Sequence, residues 1–293
     1  MRTYSRLLLI AASIFAVSIG ANAQQSANNL FFNEMGEIAD NLSQGAREGV
    51  RPIEFVNPRF DDVIWSRIVY RIIDLREKMN FPLYFPEEAS NGRQSMFTTL
   101  FRLLQEGKVK AFNPTLSGRE DFSEDNLFDF DNFLQINDII HSVQTNPATG
   151  ERVYVIDDSD IPNRNVLQYY LKEVWYFDKN NSSYNVRPVA ICPMLSVETE
   201  YDLQTRPVCW IPFETLRPFF VQQEVMVTDR NSAALLNLDD LFIKHRFGSY
   251  IYKVASQTDR MILEYAHSLD EVKSEQARIK SELLDFEQDL WEY

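Results

Sequence analysis

Four short segments with strand-like composition follow one another through the middle of the chain. They cover residues 152–156, 168–177, 184–192 and 208–211. β-branched and aromatic side chains are frequent in them, and turn-forming residues precede the first and the third segment. Consecutive strands that are joined by short turns pair in antiparallel fashion. The pattern therefore predicts an antiparallel meander.

Segments with helical periodicity lie on both sides of this meander. Apolar residues recur every three or four positions in residues 94–106, 213–223 and 238–247, and from Leu269 towards the C terminus. Helices packed beside a central antiparallel sheet define an α+β fold. We expect one α+β domain over residues 58–293.

The segment Asp61–Phe81 has two interpretations. Its apolar residues fall at helical spacing, and Pro82 would end a helix. β-branched residues are frequent between Val63 and Ile73, which favours a strand. Because the segment is long for a strand, we predict a helix here and keep the strand as the alternative.

The first 23 residues have the three parts of a secretory signal peptide. Two arginines give a positive start, Leu7–Ile19 is apolar, and Ala21–Ala23 supplies the small residues of a cleavage site. The apolar run is too short to span a bilayer comfortably. No cysteine precedes Cys192, so no lipid acceptor stands at the mature N terminus. We expect cleavage before Gln24 and an exported chain without a membrane anchor of its own.

The mature chain is strongly acidic. Removing the leader takes two of the 29 lysines and arginines, so 27 remain against 43 aspartates and glutamates, a net charge of −16. Binding to a phosphate backbone depends on lysine and arginine side chains that neutralise it. The charge therefore argues against a nucleic-acid partner and against direct binding to anionic lipid.

Residues 24–57 are polar and irregular, with three glycines and one brief apolar stretch, Leu30, Phe31 and Phe32. Terminal segments of this composition are often poorly ordered until they dock. We predict a flexible N-terminal arm, in which Leu30, Phe31 and Phe32 are the candidate partner-binding residues. A passive spacer is the alternative.

The chain has two cysteines, Cys192 and Cys209, each in a short β-rich stretch flanked by proline. An even number of cysteines in an exported protein favours a disulfide. Residues 194–204 are long enough to turn back, so an antiparallel pair would set the two sulfurs opposite each other. We predict a disulfide, with two free buried thiols as the alternative.

The sequence lacks the usual motifs of catalysis. His141, His245 and His267 have no second ligand at zinc spacing, and no phosphate loop, dinucleotide fingerprint or nucleophile elbow is present. The acidic residues 113–131 lack the alternating ligands and the glycine of a calcium loop, and predict a solvated loop anchored by phenylalanines. We predict no catalytic residue, no cofactor and no metal. Carboxylate pairs assemble only in three dimensions, so a periplasmic hydrolase or ligand-binding protein remains the alternative function.

Three blocks of the sequence resemble one known family. They are residues 61–84, which include DLREKMNFPLY; residues 166–179 with 186–193; and residues 238–253 with 286–291. Together they resemble the GldN family of gliding-motility proteins, called PorN in non-gliding relatives, of the type IX secretion system. The blocks extend from about residue 58 to residue 291, whereas the arm carries no such similarity.

The resemblance implies a non-enzymatic periplasmic component. Members of the family assemble with an outer-membrane lipoprotein, GldK or PorK, into a large ring. The expected partners are therefore this lipoprotein, further copies of the chain, and the periplasmic part of the motor protein GldM or PorM. The family supplies no catalytic motif that could be carried over to this sequence.

Overall fold

The computed structural model describes residues 51–55, 57–89, 93–115, 120–145, 152–198, 203–225, 236–256 and 259–291. The predicted leader, the arm up to residue 50 and the candidate residues Leu30, Phe31 and Phe32 lie outside the described residues. Every structural statement below concerns the described ranges.

A central antiparallel sheet forms the framework of the protein. Its strand order is β10-β1-β4-β5-β6, and β7 also pairs with β5. Two further pairs, β2 with β3 and β8 with β9, lie outside this sheet. The strands are β1 Val63–Asp74, β2 Ser142–Thr145, β3 Arg152–Val155, β4 Val166–Asp178, β5 Ser183–Glu198, β6 Leu203–Pro207, β7 Ile211–Pro212, β8 Glu224–Val225, β9 Leu236–Asn237 and β10 Tyr250–Val254.

Seven α-helices accompany the strands in the described part of the chain. They are α1 Phe81–Tyr84, α2 Met96–Gln105, α3 Phe130–Ile136, α4 Phe213–Phe220, α5 Leu238–Ile243, α6 Ile262–Tyr265 and α7 Leu269–Trp291. Short 3₁₀ turns lie at Phe60–Asp62, Lys78–Asn80, Glu124–Asn126, Asp158–Asp160 and Asn163–Asn165. The predicted α+β fold, with an antiparallel sheet and flanking helices, is confirmed.

The structure corrects the helix that was predicted for Asp61–Phe81. This segment contains the twelve-residue strand β1, which lies between β10 and β4 in the sheet. Val69 and Ile73 are buried on one face, whereas Tyr70 and Ile72 are buried on the other. A strand that is covered on both faces carries apolar residues at successive positions, and such a run also contains helical spacings.

Helix α2 forms where the sequence predicts a helix. The side chain of Ser95 accepts a hydrogen bond from the Thr98 backbone N–H at 3.1 Å and so caps the first turn. Gly107 follows the helix with φ +64°, in the left-handed region that glycine adopts without strain. The predicted helices near 213–223, 238–247 and from Leu269 also form, as α4, α5 and α7.

The predicted meander is confirmed in part, because β4, β5 and β6 pair in sequence order. The predicted first strand, residues 152–156, instead pairs with β2 in a separate hairpin. Asp178 fixes the turn between β4 and β5, where its carboxylate accepts hydrogen bonds from the Asn180 backbone and the Asn181 side chain at 2.9 and 2.6 Å. The predicted strand at residues 208–211 is only partly formed. Residues 208–210 make an irregular step between β6 and β7.

Three clusters of buried apolar residues hold the layers together. The largest lies between one face of the sheet and helices α2, α3, α4 and α5, and contains Ile73, Leu171 and Ile191. A smaller cluster with Tyr70 and Tyr252 covers the opposite face. The side chains of the sheet are therefore buried on both faces, which fixes the position of each strand.

The C-terminal helix α7 packs on the sheet through a third cluster. Ile279 and Leu283 of α7 are 3% and 1% exposed, and they pack with Val69 and Ile251 of the two strands at this edge. Leu283 lies four residues after Ile279, one helical turn further along the same face. Ile279 and Leu283 thus lie on the packing face of this helix.

Candidate interaction surfaces

The described end of the predicted arm is docked on the body of the protein. Phe55 lies between two guanidinium groups, with its ring centre 3.9 Å from Cζ of Arg217 and 4.5 Å from Cζ of Arg187. Arg217 also donates a hydrogen bond to the backbone carbonyl of Ile53, and Arg187 donates one to the side chain of Asn57 at 2.6 Å. We call these contacts the Phe55 socket.

Two helices build the buried part of the Phe55 socket. Arg217 lies in the last turn of α4 and is 1% exposed. Asp239 lies in the first turn of α5, which Asn237 caps by accepting a hydrogen bond from the Asp240 backbone at 2.7 Å. The Arg217 guanidinium reaches the Asp239 carboxylate at 3.1 Å. The two short helices therefore place a buried ion pair under the docked segment.

The electrostatics of this pair explain why the segment docks. Burial raises the pKa of Asp239, while the hydrogen bond from Arg217 lowers it in the opposite direction. A buried guanidinium needs acceptors on all sides, because an unpaired charge away from water is costly. Asp239, Glu214, the Ile53 carbonyl and the Phe55 ring supply them. The end of the arm thus completes the surroundings of Arg217.

A second buried charged cluster lies within the sheet. The Glu173 side chain is 0% exposed and contacts Arg71 Nε at 3.3 Å, Trp175 Nε1 at 2.9 Å and His245 Nε2 at 3.4 Å. Arg71 also donates a hydrogen bond to the Ser249 hydroxyl at 2.8 Å. These contacts join β1, β4 and the loop before β10 at one point between the first and third apolar clusters.

The titration behaviour of this cluster indicates a structural role. Burial raises the pKa of Glu173, which Arg71 partly offsets. Burial, with the Arg71 charge second, lowers the pKa of His245 to about 4. A histidine with such a pKa is neutral at pH 7 and is poorly matched to general base catalysis there. We therefore interpret the cluster as a structural contact between β1, β4 and the loop before β10, and not as an acid–base site.

The alternative function requires two carboxylates that face a substrate. The buried carboxylates of Glu173, Asp178 and Asp239 instead contact an arginine or amide donors, as described above. Within the described ranges, no group of three or more His, Cys, Asp or Glu side chains could hold a metal ion. The predictions of no catalytic residue and no cofactor stay predictions.

The acidic segment before α3 contains both anchored and surface carboxylates. Glu120 accepts hydrogen bonds from Tyr70 at 2.8 Å and from Lys172 at 2.6 Å. The Phe122 ring lies 5.3 Å from the Phe112 ring and 5.3 Å from the Lys172 ammonium. Phenylalanine anchors therefore exist as predicted, together with a half-buried ion pair that sequence reasoning missed.

Cys192 and Cys209 lie in neighbouring segments but are free thiols, and both are fully buried. Strand β5 pairs with β6 before Cys209 and with β7 after it, so the predicted adjacency is confirmed. Cys192 packs with Tyr70, whereas Cys209 packs with Ile191 on the opposite face of the sheet. The predicted disulfide is not formed in this structure, because the two side chains belong to different faces.

No helix in the described ranges is long and apolar enough to cross a membrane. The described part of the chain binds one of its own segments in a charged socket, and it pairs the buried side chains of Arg217, Glu173 and Lys253 with opposite charges. A surface that holds an extended segment is a protein-contact surface. The site geometry thus favours the class of assembly proteins.

Comparison with known families identifies the family. The family model described as "Gliding motility associated protein GldN" matches residues 58–292. The chain belongs to the GldN family, a structural family of the gliding-motility and type IX secretion machinery. Among curated proteins, none matches the chain. Membership implies that the protein associates with other components of this machinery.

Proposed function

We propose that this chain is a periplasmic structural subunit of the type IX secretion machinery, in which it forms a ring with an outer-membrane lipoprotein of the GldK or PorK type. The observation that carries the proposal is the family match over residues 58–292, which covers the whole folded body. The signal-peptide pattern of residues 1–23 supports export to the periplasm.

The Phe55 socket supports an assembly role for the arm. Residues 53, 55 and 57 are held on the body, so the chain before them starts from a fixed position. An arm that is tethered close to a partner binds at high effective concentration. Leu30, Phe31 and Phe32 form its longest apolar stretch, and we assign them the contact with the partner.

Charge limits how copies of the chain contact one another in a ring. With a net charge of −16, side-by-side copies repel each other. Ring closure therefore depends on apolar contacts or on a basic partner that neutralises the acidic surface. The lipoprotein, and the periplasmic part of a GldM- or PorM-type motor protein, are the partners that we propose for this purpose.

Deletion of residues 24–50 tests the arm while leaving the socket and its ligands intact. The purified variant and the purified wild type are compared for binding to the lipoprotein in a two-component assay. We expect binding to weaken at least tenfold. A triple substitution of Leu30, Phe31 and Phe32 by serine should reproduce most of this loss, whereas unchanged binding in both variants would show that the arm is a spacer.

Fractionation of the native host tests localisation. We expect a mature protein that begins at Gln24, is found in the periplasm, and sediments with the outer membrane only when the lipoprotein is present. An intact leader or an acylated N terminus in the mass spectrum would contradict this proposal.

A further inference from the structure

The hairpin formed by β2 and β3 exposes an apolar strip. Tyr154 and Ile156 pack on the core, so the alternation of a strand turns Val153 and Val155 outwards. Both are paired across the hairpin, with Gln144 and Ser142 respectively. Their exposed fractions are 48% and 43%.

One further exposed residue lies next to the hairpin in the chain. Ile140 lies two residues before β2 and is 73% exposed. We call Ile140, Val153 and Val155 the hairpin strip. Three exposed aliphatic side chains at this hairpin form a patch suited to a partner that presents similar side chains.

The hairpin is fixed to the body, so the strip is preformed. The Tyr154 ring packs edge-on against Phe130 at 5.5 Å, and Arg152 pairs with Asp131 of α3 at 3.3 Å. Gln105 of α2 donates a hydrogen bond to the Tyr154 carbonyl at 2.7 Å. A preformed surface loses little conformational entropy when it binds.

The hairpin also offers a strand edge. The hydrogen bond from Gln105 shows that the Tyr154 carbonyl points away from β2, and so α2 contacts the β3 edge. In an antiparallel ladder, two residues that form a non-hydrogen-bonded pair both point their N–H and C=O groups away from the partner strand. Val143 lies opposite Tyr154, so its main-chain groups point to the open edge of β2, and those of Thr145, two residues further on, do the same. In the described residues β2 pairs with β3 alone. An additional strand can therefore pair with β2.

The charge around the strip selects the partner. The described residues that flank the hairpin strands in the chain, 138–141 and 156–160, contain Asp138, Asp157, Asp158 and Asp160, which we call the acidic rim, and no lysine or arginine. Among the described residues, Arg102 pairs with Asp158, and Arg152 of the hairpin pairs with Asp131 of α3. A second copy of this chain would bring further negative charge to this surface. A basic segment would be attracted.

We propose that the hairpin strip and the open edge of β2 bind an extended segment of a partner protein, in which aliphatic side chains alternate along a strand flanked by lysine or arginine. The inference rests on the proposed function, since it assigns to the assembly subunit a second contact besides the arm. The strip supplies apolar burial, the β2 edge supplies main-chain hydrogen bonds, and the acidic rim supplies attraction and orientation.

The test compares matched variants of the full mature chain. V153T/V155T keeps side-chain volume and strand propensity but removes the apolar strip, and Ile64→Thr is the control, because Ile64 is a strand residue that is 58% exposed elsewhere on the surface. D157N/D160N reduces the acidic rim. Circular dichroism and urea unfolding confirm that each variant folds. Two probes are used, namely the purified lipoprotein and a fluorescent peptide, KVTVTVK, with the charge-reversed EVTVTVE as its control.

We expect the wild type and Ile64→Thr to bind both the lipoprotein and the basic peptide, and V153T/V155T to bind each at least tenfold more weakly. D157N/D160N should slow association several-fold at low salt, and the difference should vanish at high salt. Binding of the acidic peptide as tightly as the basic one would contradict the charge argument.

The outcomes separate this inference from the proposed function. If the wild type binds the lipoprotein and V153T/V155T binds it equally well, the hairpin inference is overturned while the proposed function stands. If the wild type binds the basic peptide at the strip but does not bind the lipoprotein, the proposed function fails, whereas the inference that the hairpin strip binds a basic extended segment stands. Self-association of the wild type that is lost in V153T/V155T would identify a second copy as the occupant and overturn the partner assignment.

Discussion

Replacing Phe55 by alanine should release the end of the arm from the body. The ring contacts buried Arg217 at 3.9 Å and the more exposed Arg187 at 4.5 Å. A desolvated cation–π contact contributes about 2 kcal/mol and an exposed one about 0.5–1 kcal/mol. We therefore expect Phe55→Ala to lower the free energy of unfolding by about 2–3 kcal/mol.

Two further variants define the cause of this loss. Phe55→Leu keeps apolar bulk but has no aromatic face. If the cation–π contacts contribute, it should recover only part of the stability that is lost in Phe55→Ala. Phe60→Ala is the control, since Phe60 lies five residues away and is 94% exposed. We expect the control to change the free energy of unfolding by less than about 0.5 kcal/mol.

Urea unfolding followed by tryptophan fluorescence measures the global effect, and hydrogen exchange of the amides in residues 51–57 measures local release. Exchange in this segment should accelerate in Phe55→Ala and stay unchanged in Phe60→Ala. If Phe55→Ala is as stable as the wild type and its segment exchanges no faster, the socket is not an anchor and the reasoning is wrong.

Three other predictions follow from the buried groups. Because the folded pKa of His245 is lowered to about 4 from 6.5, the folded state binds fewer protons than the unfolded chain, so this group's contribution to stability is lost as pH falls from about 6.5 towards 4. Urea unfolding of the wild type and His245→Gln at pH 7 and 4.5 checks this. Between these pH values, the free energy of unfolding of the variant should gain up to about 3 kcal/mol relative to the wild type. The same difference between the two proteins at both pH values would contradict the prediction. Burial raises the pKa of the Cys192 thiol to about 12, so both cysteines should resist alkylation in the native protein and react fully in denaturant without a reductant; a linked peptide in the mass spectrum would contradict the assignment of the two side chains to opposite faces. Leu283→Ala should lower the free energy of unfolding by about 2–5 kcal/mol, because Leu283 is 1% exposed under α7, whereas Lys280→Ala should have little effect; equal effects in urea unfolding would show that α7 does not pack through this face.

The sequence allows the fold class to be predicted because its local signals agree with the tertiary structure. Helix α2 has a serine cap, an apolar face and a terminal glycine, and it forms within two residues of its predicted bounds. The turn between β4 and β5 depends on Asp178, a residue type that favours turns. Such elements are specified by residues close together in the chain.

The features that sequence reasoning missed depend on contacts between residues that are far apart in the chain. β1 lies between β10 and β4, and burial on both faces gives it a pattern that also fits a helix. The Phe55 socket joins Phe55, Arg217 and Asp239, which are far apart in the chain, and no local spacing indicates the contact. The disulfide prediction placed the two cysteine segments side by side correctly. The two thiols are free in this structure, with the side chains in apolar clusters on different faces of the sheet.

The central claim is that the chain is a structural subunit of a large envelope assembly. The most direct measurement is electron microscopy of the complex that is purified through a tag on this chain from its native host, with the lipoprotein gene intact and deleted. We predict large ring-shaped particles that contain both proteins in fixed proportion and that disappear in the deletion strain. A small oligomer of this chain alone in both strains, without the lipoprotein, would contradict the account.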